Sequence, residues 1–239
     1  MNEMLKIIQE RYSSRGPFDR EHPPSKQDVT QILEAARWAP TAHNMQNFEI
    51  VVVDDKRLLE EIGNIKSRIS EEFLRENYEQ LSFSEEELLG KKVGILGSAF
   101  PPAWRIPGDW SKIARESEPS PLGLFIRGSP MLLIVTYDPR KRAPASEGDA
   151  LGFMSLGCVM ENMWLMAQAL GVGFHVLSTF GVGSVEKEAK QILGVPEGLM
   201  IAFAVRLGYP VPGPSKYLRV RRDVEEFAHH NRFENKGLD

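Results

Sequence analysis

The chain has 239 residues, enough to bury a full core as one large or two small domains. Hydrophobic residues make up 42% and charged residues 26%, an ordinary balance for a soluble globular protein. The formal net charge of -4 leaves no surplus of positive charge for general nucleic-acid binding.

A single cysteine, Cys158, excludes an intrachain disulfide and a cysteine-based zinc cluster, and fits a reducing compartment. The opening residues lack the apolar core of a secretory signal, so a cytoplasmic location is expected. Leu5, Ile7, Ile8 and Tyr12 give residues 2–12 a helical spacing that Gly16-Pro17 ends. Ser25, with Asp28 three residues on as a short-armed capping box, opens a second helix. Its apolar face runs through Val29, Ile32, Leu33 and Ala36 to a stop at Pro40. A polar loop follows, Thr41-Ala42-His43-Asn44-Met45-Gln46-Asn47.

Residues 48–53 read as a strand buried on both faces. Residues 55–80 read as one or two charged helices, with Asp55 as a cap, and Ser84/Glu87 form a further capping box. From Gly90 to Gly128 the pattern dissolves into Gly, Pro, Ser and exposed aromatics, including Phe100, Trp104 and Trp110. A segment of this kind is either a functional lid or loosely structured. A buried strand is predicted at 131–136, and a long apolar helix at 149–170. Asp149, Glu161, Asn162 and Gln168 would be costly in lipid, so that helix belongs to a core or a subunit interface. A third strand at 174–179, a helix from Ser184 to Leu193 and a fourth strand at 199–207 complete one mixed α/β domain spanning 1–239. The last thirty residues are Pro-rich, then basic.

Familiar catalytic constellations are scarce: there is no nucleophile elbow, P-loop or dinucleotide fingerprint, and no metal-ligand spacing. That pattern suits an enzyme whose cofactor carries the reaction. Three polar clusters stand out. In Arg11-Tyr12-Ser13-Ser14-Arg15, planar guanidinium forks match phosphate oxygens and hydroxyls add donors beside them, although a solvated helix end would look the same. The loop Thr41 to Gln46 carries amides able to donate to and accept from a heterocycle, or simply turn residues. Arg219 and Arg221, two apart, project to one side of an extended segment, toward an anion or toward solvent.

Taken together, the chain resembles the FMN-dependent nitroreductase family over nearly its full length. The resemblance rests on Arg11–Arg15, the passage Ala35-Ala36-Arg37-Trp38-Ala39-Pro40-Thr41-Ala42-His43-Asn44-Met45-Gln46, Ala169-Leu170-Gly171-Val172-Gly173, Leu207-Gly208-Tyr209-Pro210 and Arg219-Val220-Arg221-Arg222. It implies an α/β (α+β) three-layer fold, a mixed, mostly antiparallel sheet flanked by helices. It also implies a C-terminal extension embracing the partner subunit; the irregular segment at about 90–128 is the expected lid or insertion of the single domain. The resemblance further implies a homodimer with FMN at the interface. Arg11, Ser13 and Arg15, with Arg219 and Arg221, would hold phosphate and ribityl chain, and Tyr12 would contribute backbone or packing. Arg222, adjacent, is an alternative phosphate contact. Pro40, Thr41, Ala42, Asn44 and Gln46 would border the flavin from the partner, and Leu177, Ser178 and Thr179 would approach the isoalloxazine ring.

The implied activity is NADH- or NADPH-dependent reduction of nitroaromatic, quinone or similar planar acceptors by a ping-pong hydride mechanism. No side chain is nominated as acid or base, and no metal, nucleic acid or membrane is expected. Residues 97–125 are the expected source of acceptor specificity, through stacking by Phe100, Trp104 and Trp110. A flavin-storage role, or another flavin reaction of the family (dehalogenation, heterocycle oxidation, flavin destruction), are the alternatives. Tyr12, Ala42-His43, Asn47-Phe48 and Asp223 depart from common forms of the family pattern.

Overall fold

The run from Met131 to Tyr137 forms an inner strand of a four-stranded sheet in the computed structural model, which describes residues 2–77, 81–99, 110–126, 128–212 and 218–236. In chain order the helices and strands are α1 (Glu3–Glu10), α2 (Lys26–Arg37), β1 (Phe48–Val53), α3 (Lys56–Asn64), β2 (Lys66–Ser67), α4 (Glu71–Arg75), β3 (Ser82–Phe83), α5 (Glu85–Lys91) and β4 (Ile95–Leu96). They continue with α6 (Trp110–Glu116), β5 (Ser120–Pro121), α7 (Gly123–Ile126), β6 (Met131–Tyr137), α8 (Ala150–Ala169), β7 (Gly173–Leu177), α9 (Gly183–Leu193), β8 (Met200–Gly208) and α10 (Val224–Phe227).

The chain divides into two compact units, Met1–Ser67 with Ser120–Gly213, and Arg68–Pro119 with Pro214–Asp239. The first holds the sheet, in the order β1-β6-β8-β7, with every ladder antiparallel. Strand side chains alternate between faces. Met131, Leu133 and Val135 of β6 therefore pack with Val29, Ile32 and Ala36 of α2 and with Leu156, Val159 and Met163 of α8. Leu132 and Ile134 point the other way, toward Ile62 of α3, Ile126 of α7 and Val185 and Ala189 of α9. Two apolar layers on one sheet make the three-layer arrangement expected from the sequence. Each fully buried aliphatic side chain contributes about 1.5–3 kcal/mol to holding it.

Strand β1 departs from expectation. It is a sheet edge with Glu49 and Val52 exposed, so its continuous apolar run is not buried on both faces. Helix α8 turns Gly152, Ser155, Leu156, Val159, Met163 and Ala167 inward at helical spacing, while Leu151, Phe153 and Met154 remain exposed. Among the described residues it is the one helix long and apolar enough to cross a membrane, yet its inward face is part of the sheet's core.

The predicted caps form with side-chain bonds. Ser25 Oγ accepts from Asp28 N at 3.1 Å, Asp55 Oδ1 from Leu58 N at 3.0 Å, and Ser84 and Glu87 close a reciprocal box.

The second unit contains α4, β3, α5, β4, α6 and α10. The ammonium of Lys92, just past α5, binds Asp223 and Glu226 of the α10 capping box. The stretch from 90 to 128 is less irregular than its composition suggests, because α6 and α7 lie in it. Trp110 is 9% exposed at the start of α6 rather than an exposed aromatic, whereas Phe100 and Trp104 lie outside the described residues.

Candidate functional site

The run Arg11–Arg15 leaves α1 at Arg11, at φ -54 and ψ 131, and turns tightly at Ser14, where Arg15 N donates to Ser13 O at 3.0 Å. Two of its backbone groups are tied to the core. The Trp164 indole N–H donates to Tyr12 O at 3.1 Å, and Ser14 N donates to Phe174 O of β7 at 2.9 Å. Ser14 is buried, while Ser13 is half-exposed and Arg15 exposed. Arg11 is partly buried against α8, whereas Ser13 and Arg15 keep exposed surface.

Arg11 is fixed more tightly than a solvated helix end would be. Its Nε lies 3.1 Å from Glu161 Oε1, and its guanidinium stacks 4.4 Å from the Trp164 ring centre. Trp164 in turn stacks on Phe174 with centroids 5.3 Å apart.

The segment beyond the run is locked by a ring and two glycines. Phe18 is buried and bridges to Pro210, and Asp19 N donates to Tyr209 O at 2.9 Å. Gly173 and Gly208 face each other across the β7/β8 ladder. A Cβ at Gly173 would come within 2.5 Å of the Phe18 ring, and one at Gly208 within 2.6 Å of Phe18 Cβ. The glycines of the Gly171-Val172-Gly173 and Leu207-Gly208-Tyr209-Pro210 motifs therefore make room for this ring. Tyr209 completes the clamp by donating its hydroxyl to Asp28 Oδ2 at 2.8 Å, a bond that helps hold the Asp28 carboxyl below its ordinary range after that from Ser25.

The second predicted cluster, Pro40 to Gln46, winds through a 3₁₀ turn at Ala42–Asn44. His43, Asn44 and Gln46 all have positive φ (51°, 52° and 44°), a costly conformation for side chains other than glycine and asparagine. Tertiary bonds hold the turn. Ala42 N donates to Ser155 Oγ at 2.9 Å, Ser155 Oγ donates to Leu151 O at 2.7 Å, and Gln46 N donates to Thr41 Oγ1 at 3.2 Å. Pro40, Asn44 and Gln46 are exposed, and a 3.0 Å bond from Gln46 Nε2 to Asn44 Oδ1 aligns the two amides.

The third predicted stretch divides: Leu177 ends β7 and is buried, whereas Ser178 and Thr179 lie in a 3₁₀ turn, Ser178 exposed. Thr179 Oγ1 lies 3.4 Å from Ser67 Oγ.

Helix α8 is the common scaffold. Glu161 and Trp164 carry the arginine run, and Ser155 carries the amide loop. Six to nine residues of helix separate these anchors by roughly 9–14 Å along the axis. Within one chain the run and the loop therefore occupy different stretches of the helix. Arg219 and Arg221 are exposed and belong to the second unit, where Arg221 Nη1 donates to Val220 O at 2.7 Å. Arg222 instead stacks 5.6 Å from the Phe227 ring centre. Trp164, Ser155 and Phe18 act through tertiary contacts that no local pattern reveals, and Glu161, marked in the sequence only as a charge in an apolar helix, joins them. No group of three or more potential metal ligands occurs among the described residues.

The chain is 25% identical over 210 residues to an Archaeoglobus fulgidus protein provisionally named NADH dehydrogenase/NAD(P)H nitroreductase, covering 88% of this chain and 87% of that one. It is 26% identical over 208 residues to an iodotyrosine deiodinase of Thermotoga neapolitana, covering 84% and 86%. An FMN-bound nitroreductase structure from Desulfitobacterium hafniense shares the fold with a TM-score of 0.60, 23% identity and coverage of 97% and 100%. The sequence profile of the Nitroreductase family matches residues 8–209, a span that includes the arginine run, the amide loop, Gly173 and Gly208, and the chain belongs to that family.

Proposed function

We propose that the protein is an FMN-dependent NAD(P)H oxidoreductase that reduces planar acceptors such as nitroaromatics and quinones. The observation that supports this reading is the Arg11–Arg15 run, whose first arginine is ordered by Glu161 and Trp164 and whose backbone is tied by Trp164 and Phe174. The donor set suits a phosphate. Two guanidinium groups and a hydroxyl lie within five residues, and Glu161 already engages Arg11. Bound there, FMN would supply the hydride chemistry. Arg11, Ser13 and Arg15 hold the phosphate end. Asn44 and Gln46 supply amide donors and acceptors to the heterocycle, with Pro40, Thr41 and Ala42 as its border. Ser178 and Thr179 present hydroxyls near the end of β7.

The working unit is a homodimer. The exposed apolar face of α8, with Leu151, Phe153 and Met154, suits burial against a second copy. The separation of the run and the loop along α8 fits a cofactor touched by both subunits. The C-terminal extension embraces the partner, and the segment around 90–128 tunes acceptor choice in a cytoplasmic enzyme.

The purified protein should be yellow, and its flavin absorbance should bleach under anaerobic NADH or NADPH. A protein that takes up no FMN would overturn the reading. Flavin that binds but stays oxidised under excess nicotinamide would instead mark a storage role. The similarity to an iodotyrosine deiodinase favours a second reading within the same chemistry, reductive dehalogenation of halophenols. Halide release from iodotyrosine by the reduced protein would select it over nitro and quinone reduction.

A further inference from the structure

We propose that Arg206 is a positioning residue for phosphate binding, acting through the backbone of the Arg11–Arg15 run; this rests on the reading of that run as the phosphate site. Arg206 lies in β8 with no exposed surface, the largest side chain among those fully buried. Burying a guanidinium is costly unless its donors are used. Here Nη2 donates to two main-chain carbonyls, Ser14 O at 3.4 Å and Gly16 O in a shorter bond, and the plane stacks 4.4 Å from the Phe18 ring centre. These bonds bracket Arg15, whose own N–H donates to Ser13 O at 3.0 Å.

Arg15, between the two bonded carbonyls, is exposed. Ser14 N, donating to Phe174 O, pins the same residue from β7. The Arg206 fork thus joins the run to the inner strand β8. Lysine at 206 would keep the charge but lose the planar fork and the flat face that stacks on Phe18. The proposed role follows from geometry rather than from a positive charge in the vicinity.

FMN and riboflavin differ by the phosphate alone, so the ratio of their affinities isolates the phosphate end. Both ligands are titrated, by quenching of flavin fluorescence, into the flavin-stripped full-length protein as wild type, Arg206→Met, Arg206→Lys and Arg15→Ala. Arg206→Met and Arg206→Lys are each expected to lower the FMN:riboflavin ratio by roughly tenfold or more, the scale of a single charge-assisted hydrogen bond, while riboflavin affinity holds. Arg15→Ala is expected to lower the ratio similarly.

If Arg15→Ala lowers the ratio but both Arg206 variants keep it, the positioning role is overturned and the phosphate site stands. A full ratio in Arg206→Lys overturns it as well, since charge would then suffice. A parallel loss of FMN and riboflavin affinity in Arg206→Lys would mark a general structural role and also overturn it. Should Arg206→Met fail to fold, Arg206→Lys decides by the same criteria. If no variant, Arg15→Ala included, changes the ratio, the phosphate site itself has been misplaced and the proposal falls with it.

Discussion

The Arg11 guanidinium lies 4.4 Å from the centre of the Trp164 ring, and the same indole donates its N–H to Tyr12 O. One side chain of α8 therefore orients both the first arginine of the run and the backbone after it. Trp164→Phe keeps a stacking face and removes the donor. It is expected to cost about 1 kcal/mol in urea unfolding, the usual net value of one hydrogen bond. Trp164→Ala also empties a ring packed on Phe174 and should cost about 3–5 kcal/mol. Equal losses in the two variants would show that the ring's packing contributes nothing.

Replacing Arg11 and Arg15 together by alanine should weaken FMN retention by roughly 100-fold or more, the sum of two charge-assisted hydrogen bonds, and leave the fold intact. Gel filtration followed by flavin absorbance measures the retention, and circular dichroism checks the fold. Unchanged affinity would remove the run from the phosphate site.

Ser155 links the amide loop to α8, accepting from Ala42 N and donating to Leu151 O. Ser155→Ala leaves the partly buried Ala42 N–H without that acceptor and should cost about 1–3 kcal/mol. Because the positive-φ residues of the loop depend on such ties, faster hydrogen exchange is expected across residues 42–47. Exchange that changes only within α8 would contradict this.

Glycine substitutions should diverge in sign. Gly173→Ala drives a methyl group to within 2.5 Å of the Phe18 ring and should destabilise by about 1–3 kcal/mol, the cost of overpacking. Gly90 lies in α5 with open space around its added Cβ, so Gly90→Ala should stabilise by about 0.5–1 kcal/mol. Chemical denaturation of both variants provides the comparison, and a stabilising Gly173→Ala would contradict the close approach.

The Arg140 guanidinium grips Asp138 through Nε at 2.8 Å and Nη2 at 2.9 Å, lowering its carboxyl from the ordinary 3.8 to about 2. A carboxyl whose folded value is depressed adds stability that is fully present above its ordinary value. That stability fades as pH falls through the folded value. Asp138→Asn should therefore melt below wild type at neutral pH, with the gap closing between pH 3.8 and about 2. A gap independent of pH would assign the effect to packing.

Features governed by neighbours in the chain were legible from residue order. The Ser84/Glu87 box and the Ser25 and Asp55 caps depend on contacts three residues apart, and all three form. The apolar runs at 131–136 and 149–170 were recognisable because burial of a whole element leaves a local pattern. The arginine run and the amide loop could be selected as candidate chemistry from residue types at short spacing. What the chain could not disclose by itself is which surfaces face one another. The apolar run of β1 looked doubly buried, but its place at the sheet edge is set by pairing with a strand about eighty residues away. Trp110 looked exposed amid Gly and Pro, yet α6 turns it inward. Arg206 reads as one charge interrupting a strand. Only the tertiary fold, bringing Phe18 and the carbonyls of Ser14 and Gly16 to it across about 190 residues, makes its burial possible.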